Sequence, residues 1–496
     1  MEIVLKPYSK IEKKNYDSVI IKIDQRSFEN VDFEEGKSLF SFDECKFNKI
    51  QIINESNIEF EDILIHFSFC LIKSIEIIEI KTNQISLHFH SCIVEGNIKD
   101  KNIKSVSFNN CFTLNLILHN QKVLSFSLDK TNIPLKKWVR VLQSTDVKSL
   151  SQLLQLKQSI QIAYCKKVRI NLNDYQLNKK GVYRVKEEKV DDYKIRYCVS
   201  QKQLESLNLN ISIDFNSQID ELTEIKNFYL QSLSFTGIAQ GKLFLENTIV
   251  NNFFIQNFSS ELETSFYKIY PSIDNAKLEI HNSNMNNTWF DNINFNGYKT
   301  LSFFRTRFSN ASFTSCNFPK NSLDFEKFMT LENIHYPDKK PQNYYKDQYE
   351  TFLQLRKSLD GTGNYYEGQK LGAISKDALR KTNSVATSDK IILCINKISN
   401  NHGLSIKRPI VGLFLFSILF YVLYLLSINR VFISTDIDWD LFGYYFSFLD
   451  PTHRKNFLID KSNFSVYTLT IDFANKIVVG FFIFQFISAF RKYVNK

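Results

Sequence analysis

LSFFRTRFSNASFTSCNFPKNSL, residues 301–323, carries a large apolar residue at every fifth position. The apolar positions are Phe303, Phe308, Phe313, Phe318 and Leu323. Small or polar residues stand two positions before the last four of these, at Thr306, Ala311, Cys316 and Asn321. This five-residue period is the finer grain of a longer repeat of roughly twenty residues. A repeat of that length, with short strands and Asn-rich turns, indicates a solenoid in which each coil buries its inward residue against the same residue of the next coil.

A looser repeat of the same kind fills the N-terminal part of the chain. Its mark is F-x-x-C, at Phe42/Cys45, Phe67/Cys70, Phe89/Cys92 and Phe108/Cys111. The spacings are 25, 22 and 19 residues. A cysteine inside an apolar pattern behaves as a small hydrophobe, so we expect stacked phenylalanines and cysteines to form interior ladders.

A small residue two positions before a large apolar one, repeated every five residues, resembles the pentapeptide-repeat family. Members of that family wind a four-sided right-handed β-helix with about twenty residues per coil. The resemblance implies a mainly β chain that forms a right-handed β-helix. The frame slips outside the best repeats, which leaves a more irregular β-solenoid open.

Changes in pattern divide the chain into five parts. They are a first solenoid segment (1–133), an insertion of mixed helix and charged hairpin (134–206), a second solenoid segment (207–325), a helical hairpin with a linker (340–404) and a two-span membrane domain (405–496).

Two apolar stretches near the C-terminus are predicted membrane spans. Pro409–Ile428 contains 20 residues without a charge, about the length that an α-helix needs to cross roughly 30 Å of hydrocarbon. The second span must begin near Val466 to reach that length, and it then contains Asp472 and Lys476. These two residues are four positions apart, so they share a helix face and can pair. Either they reach the outer interface, or they face a wet cavity between helices.

Basic residues at the span ends set the expected orientation. Lys407 and Arg408 precede the first span, and Arg491 and Lys492 follow the second. The positive-inside rule then places both termini in the cytoplasm, in a cytoplasmic (inner) membrane.

The segment between the spans contains LFGYYFSFL, residues 441–449. Nine residues cannot cross a bilayer, so this stretch is either an interfacial helix or a short re-entrant pore helix. Two helices cannot enclose water, so a pore would require a homo-oligomer. Asp436, Asp440 and Asp450 would then attract cations at its outer mouth.

The C-terminal third is similar to bacterial pentapeptide-repeat membrane proteins with a two-span, ion-channel-like unit. The similarity is carried by YETFLQLRKSLDGTGNYYEGQKL, DKIILCINKISNNHGLSIKRP, FSFLDPTHR and GFFIFQFISAFRKY. It implies a solenoid, a helical linker and two spans.

Composition narrows the functional classes. The formal net charge of +10 is spread along the chain rather than gathered in a block, so we expect attraction to anionic lipid and no nucleic-acid partner. The sequence contains no P-loop, GxSxG or HExxH motif, and we expect neither an enzyme nor a metal or other cofactor. Two functions stay open: a solenoid that senses a cytosolic partner or cue and opens a pore, and a membrane-anchored, non-conducting binding scaffold.

Overall fold

Two long parallel β-sheets are built from the first two-thirds of the chain in the computed structural model. The structure describes residues 2–4, 9–23, 37–54, 62–80, 85–99, 103–119, 121–129, 150–163, 165–173, 188–189, 195–196, 206–215, 221–319, 344–428, 439–453 and 465–490. The chain divides into two compact units, Met1–Asn333 and Ile334–Lys496.

The first sheet has thirteen strands. They are β1 (Glu2–Val4), β3 (Asn15–Ile23), β5 (Lys46–Asn54), β7 (Leu71–Ile72), β8 (Ile75–Ile80), β10 (Ile93–Lys99), β12 (Phe112–His119), β14 (Gln158–Ala163), β18 (Leu209–Asp214), β20 (Tyr229–Ala239), β22 (Ile249–Ser260), β24 (Lys277–His281) and β26 (Thr300–Phe304).

The second sheet has twelve strands. They are β2 (Lys10–Glu12), β4 (Lys37–Asp43), β6 (Asp62–Ser68), β9 (Ile85–His90), β11 (Ile103–Asn109), β13 (Gln121–Asp129), β15 (Cys165–Asn173), β19 (Leu222–Lys226), β21 (Lys242–Glu246), β23 (Thr264–Tyr267), β25 (Thr288–Asp291) and β27 (Ser312–Thr314). A separate antiparallel pair, β16 (Glu188–Lys189) and β17 (Ile195–Arg196), lies outside both sheets.

The chain alternates between the two sheets as it advances. Along most of the stack, each turn adds one strand to the first sheet and one to the second, and the described pairings within both sheets are parallel. Parallel neighbours joined in this way form stacked coils. The prediction of a mainly β, solenoid-like body is therefore confirmed.

A ladder of large apolar side chains runs through the second sheet. Eleven residues are in register from strand to strand, each at most 2% exposed: Phe42, Phe67, Phe89, Phe108, Phe126, Ile170, Ile225, Leu245, Phe266, Phe290 and Phe313. The Phe89 ring stacks on Phe67 and Phe108, with centroids 5.1 and 4.9 Å apart. Phe303, Phe308 and Phe318 of the five-residue repeat are also buried. Contact between like residues of successive coils thus builds the core.

The predicted cysteine ladder lies at a corner between the sheets. Cys45, Cys70, Cys92 and Cys111 are buried, and each follows a residue with φ between 51° and 53°. Each thiol lies within hydrogen-bond distance of a carbonyl two residues earlier, and the single S–H of Cys92 can be shared with the Phe67 carbonyl of the preceding coil, 3.2 Å from Sγ. Burial raises the pKa of the Cys92 thiol well above its usual range. A protonated, buried thiol is poorly reactive, which fits a structural role.

The range 134–206 contributes strands to both sheets. Within it, β14 pairs with β12 and β18, and β15 pairs with β13 and β19. Helix α1 (Leu150–Gln155) precedes β14. Strands β14 and β15 therefore extend both sheets within the range that the sequence assigned to an insertion.

The second unit is helical. Its helices are α2 (Tyr344–Gly361), α3 (Tyr365–Lys381), α4 (Thr387–Asn400), α5 (Lys407–Ser427), α6 (Trp439–Phe448) and α7 (Val466–Phe490), and a 3-10 turn (Phe295–Gly297) lies in the first unit. Asn364 caps α3 by accepting from the Glu367 amide at 3.3 Å. Asn401 ends α4 in the left-handed conformation. Two of these helices, α5 and α7, are long and apolar enough to cross a membrane.

Candidate functional site

Helices α5 and α7 form an antiparallel hairpin. Near the start of α5, Gly412 lies against Phe482 in the C-terminal half of α7, so that a Cβ atom on this glycine would collide with the phenyl ring. At the other end, Ser427 donates to Thr468 at 3.0 Å. The small residue at position 412 thus permits close contact between the two helices.

The buried face of α7 is largely polar. Its members recur at intervals of three and four residues: Thr468, Asp472, Asn475, Val479, Phe482, Gln485 and Ala489. The exposed faces are apolar by contrast, with Leu415 of α5 64% exposed and Phe473 of α7 66% exposed. Polar residues inside and apolar residues outside reverse the usual arrangement of a water-soluble protein. The arrangement is typical of a helix bundle surrounded by lipid.

Helix α6 packs against the middle of α5. The hydroxyls of Tyr445 and Ser417 lie 2.7 Å apart, and Tyr421 donates to the Leu441 carbonyl at 2.6 Å. Ser417 is ten residues from each end of α5. At 1.5 Å per residue, the contact lies about 15 Å from either end of the helix. The segment between the two long helices therefore reaches the midpoint of the first one.

A three-residue cluster joins the turn after α6 to α7. The Asp472 carboxylate lies 2.6 Å from His453 Nε2 and 3.2 Å from Lys476 Nζ. Lys476 also donates to the His453 carbonyl at 3.1 Å. The side chains of Asp472 and His453 are only 8% and 4% exposed. Asp472 and Lys476 therefore pair across one helical turn, as their spacing predicts, and together they hold the turn that follows α6.

Asn475 adds a fourth contact to the same segment. Its side-chain amide donates to the Phe448 carbonyl, the last residue of α6, at 3.0 Å. A helix C-terminus leaves carbonyls without backbone partners, so this bond satisfies one of them. Phe448 itself is fully buried against Tyr421, Tyr424 and Leu425. Side chains of α7 therefore hold both Phe448, at the end of α6, and His453, in the turn that follows it.

The predicted loop aspartates have different surroundings. Asp450 is exposed and accepts from the Thr452 amide and hydroxyl at 2.8 and 2.7 Å, and these bonds lower the pKa of its carboxyl. Asp440 is exposed in the first turn of α6. Asp436 lies outside the described residues. Asp450 is therefore placed to present a negative charge to solvent.

A second polar cluster ties α4 to the end of α7. Gln485 donates to the side chain of Asn396 at 3.1 Å and accepts from Asn400. Beside it, Asp377 of α3 pairs with Lys397 at 2.8 Å and His402 at 3.3 Å. Burial alone would raise the pKa of Asp377, but the hydrogen bonds from His402 and Lys397 outweigh it and the pKa is lowered. These contacts couple the helical linker to the hairpin.

The predicted topology anchors are only partly described. Lys407 and Arg408 are exposed at the start of α5, and Arg408 donates to the Lys397 carbonyl at 2.8 Å. Arg491 and Lys492 lie outside the described residues. Sequence reasoning missed His453, Asn475 and Gln485 as contact residues. For Asn475 and Gln485, which lie within α7, the available signal was the recurrence of polar residues at helical spacing inside an apolar span.

No family model matches this chain, and no curated protein or solved structure matches it significantly.

Proposed function

We propose that this chain is an oligomeric membrane protein whose two-span hairpins form an ion-conducting pore. One observation carries the proposal: α6 reaches the midpoint of α5 through the Tyr445–Ser417 contact. A helix that enters to mid-depth between two spans is a re-entrant element, and such backbone occurs where it is covered by protein or lines a water-filled path. An interfacial helix, the other option, would stay near the span ends.

Lipid around α5 and α7 would satisfy their exposed apolar faces. In this proposal the chain crosses the cytoplasmic (inner) membrane twice, with both termini in the cytoplasm. Lys407 and Arg408 at the start of α5 support that orientation through the positive-inside rule. The segment that contains Asp440 and Asp450 then faces the outside.

The pore requires several copies of the hairpin. In one subunit, α6 presents Phe442 and Phe446 outward, 65% and 61% exposed. Neighbouring copies would cover this surface in a ring. Asp450, whose carboxyl pKa is lowered by hydrogen bonds with Thr452, would then be repeated at the outer mouth with Asp440 and favour cations.

Asp472 and Lys476 have a supporting role in this mechanism. Their charges are engaged with each other and with His453. We therefore assign them to positioning the re-entrant segment, and their exposure to a wet cavity stays a prediction.

The solenoid supplies the cytosolic binding body. We propose that its coils wind as a right-handed, pentapeptide-like β-helix of the kind that bacterial membrane proteins of this repeat class contain, and that it binds an unidentified cytosolic protein or cue. Tyr267 and Trp289, each 42% exposed, lie on adjacent strands of the second sheet and offer an aromatic surface. No enzymatic step is part of the proposal.

A non-conducting scaffold is the second candidate. It is favoured by the exposed residues of α5 from Ile410 to Leu426, which are apolar throughout, and by the engagement of the α7 polar face within one subunit. In that case the hairpin anchors the solenoid and conducts nothing.

Reconstitution separates the two functions. Purified full-length protein is measured in planar bilayers and its native mass is determined in detergent. A pore predicts an oligomer, a conductance, and weaker cation preference in Asp450→Asn, seen as a shifted reversal potential in a salt gradient. Asp389→Asn, on α4, is the matched control and leaves the reversal potential unchanged. A monomer that carries no current supports the scaffold and refutes the pore.

A further inference from the structure

Helix α4 has an apolar face that the described residues leave uncovered. Ile391, Ile392, Ile395 and Ile398 are 55%, 56%, 45% and 70% exposed. Their positions at i, i+1, i+4 and i+7 place them on one side of the helix. Four exposed isoleucines in fourteen residues form a continuous surface rather than scattered contacts.

The opposite side of α4 is fixed to its neighbours. Lys397 pairs with Asp377 of α3, and Asn396 and Asn400 bond with Gln485 of α7. These contacts set the rotation of α4 about its own axis, so the isoleucine face points away from α3 and α7.

The contact with Gln485 also sets the depth of α4 along α7. Gln485 stands five residues before Phe490, the last residue of α7. At 1.5 Å per residue this is about 7.5 Å from the helix end. An amphipathic helix in a membrane interface buries its apolar face about 5–10 Å into the boundary between headgroups and acyl chains. With the end of α7 at the cytoplasmic interface, as in the proposed insertion, the contact with α4 falls within that range.

Positive charge surrounds this end of the hairpin. Lys390 lies on α4, and Lys407 and Arg408 begin α5, with six residues between them and the end of α4. Basic side chains beside an apolar helix face match a bilayer surface with anionic headgroups.

From these observations we infer that α4 lies in the cytoplasmic interface of the bilayer, with its isoleucine face in lipid and with Lys390, Lys407 and Arg408 at anionic headgroups. The inference rests on the proposed two-span insertion of α5 and α7. The protein would then hold the membrane with three helices, and the linker between solenoid and hairpin would sense lipid composition directly.

Depth-dependent quenching tests the inference in full-length protein. Ile398→Cys is labelled with a polarity-sensitive fluorophore in a Cys394→Ser, Cys198→Ser background, which leaves six buried thiols. The protein is reconstituted in vesicles that contain phosphatidylglycerol and lipids with a nitroxide at the headgroup or in the upper acyl chain. Asp389→Cys, nine residues earlier and so on the opposite side of α4, is the matched control.

An interfacial α4 predicts blue-shifted emission at position 398 and quenching at least about twofold stronger than at position 389. Removing phosphatidylglycerol should weaken that difference. A label at 398 that stays water-exposed overturns the inference. A label that is shielded from water but not quenched by lipid also overturns it, because protein then covers the face.

A second site separates this inference from the proposed insertion. Leu415→Cys, near the middle of α5, should be quenched by nitroxides deep in the acyl chain. If position 415 is not quenched, the two-span proposal fails. If 415 is quenched and 398 is not, only the placement of α4 fails. Ile391→Gln with Ile395→Gln, combined with the label at position 398, gives an independent check, because these exposed substitutions should remove the dependence of quenching at 398 on anionic lipid.

Discussion

Asp472→Asn removes a buried charge while it preserves the size of the side chain. Asp472 contacts His453 at 2.6 Å and Lys476 at 3.2 Å, and its side chain is 8% exposed. Hydrogen bonds to charged groups contribute about 1.5–3 kcal/mol each, so we expect the free energy of local opening of residues 439–453 to fall by about 3 kcal/mol. At about 1.4 kcal/mol per factor of ten, amide exchange in this segment should accelerate on the order of 100-fold.

Hydrogen-exchange mass spectrometry of the full-length protein in lipid nanodiscs measures this change. Thr470→Ala on the exposed side of α7 is the control, and it should change the opening free energy by less than about 0.5 kcal/mol. Exchange within about threefold of the unmodified protein in Asp472→Asn would refute the positioning role.

A double-mutant cycle then isolates the ion pair. Lys476→Met alone should also destabilise the segment, because it leaves the Asp472 carboxylate with His453 as its remaining described partner. The double variant Asp472→Asn, Lys476→Met removes both charges, and its effect should fall short of the sum of the single effects by about 1–2 kcal/mol. Simple additivity would show that the two side chains do not interact energetically.

Three further outcomes follow from the packing and the charges. Phe89→Ala opens a cavity in the phenylalanine ladder and should lower the free energy of unfolding of the adjacent coils by about 3–5 kcal/mol, seen as faster amide exchange in those coils only. The control Ile238→Ala removes an exposed side chain and should lower it by less than about 0.5 kcal/mol. Exchange raised equally in all coils would contradict the nearest-neighbour model. Gly412→Ala forces a methyl group against the Phe482 ring of α7 and should lower the thermal midpoint in detergent by the equivalent of about 1–3 kcal/mol. The control Gly480→Ala places its methyl group in open space and should not lower the midpoint. Equal midpoints for the two variants would contradict the close contact between α5 and α7. Because the pKa of Asp377 is lowered in the folded protein, its carboxylate stabilises the helical unit at pH values above the ordinary pKa of 3.8, and this stabilisation is lost as the pH falls through the lowered pKa. In a circular-dichroism titration, Asp377→Asn should therefore lack this loss of stability at acid pH. An unchanged acid transition in the variant would contradict the assignment.

The repeat could be predicted because its core residues are chemically alike. Phenylalanine and cysteine recur where successive coils touch, so the pattern in the sequence is the pattern of contacts. The sequence analysis assigned strands β14 and β15 to an insertion rather than to the solenoid, because Ile170 stands in the ladder where other coils have phenylalanine. Isoleucine fills the same interior position but is too common in this chain to mark it.

The membrane unit could be predicted in outline and not in detail. Helix periodicity was enough to pair Asp472 with Lys476, which are one turn apart. The contact with His453 spans 19 residues and depends on how the segment between the helices folds back. Hydropathy measures the length of a span but carries no information about which loop residue reaches its polar positions.

The registered ladder has a consequence for how such a chain can change in length. Phe126 and Ile170 are 44 residues apart and Ile170 and Ile225 are 55 apart, yet each pair stands side by side. Connections of very different length between strands therefore leave the rungs above and below undisturbed. Duplication or loss of a whole turn would alter the height of the stack by one strand spacing, about 4.8 Å, and keep every other neighbour. Gain of a single residue inside a strand would instead turn the following side chains inside out unless a β-bulge absorbs it, as the bulge between Ile103 and Ser105 does. Related chains should therefore differ in length by whole turns and by the length of the connections between strands.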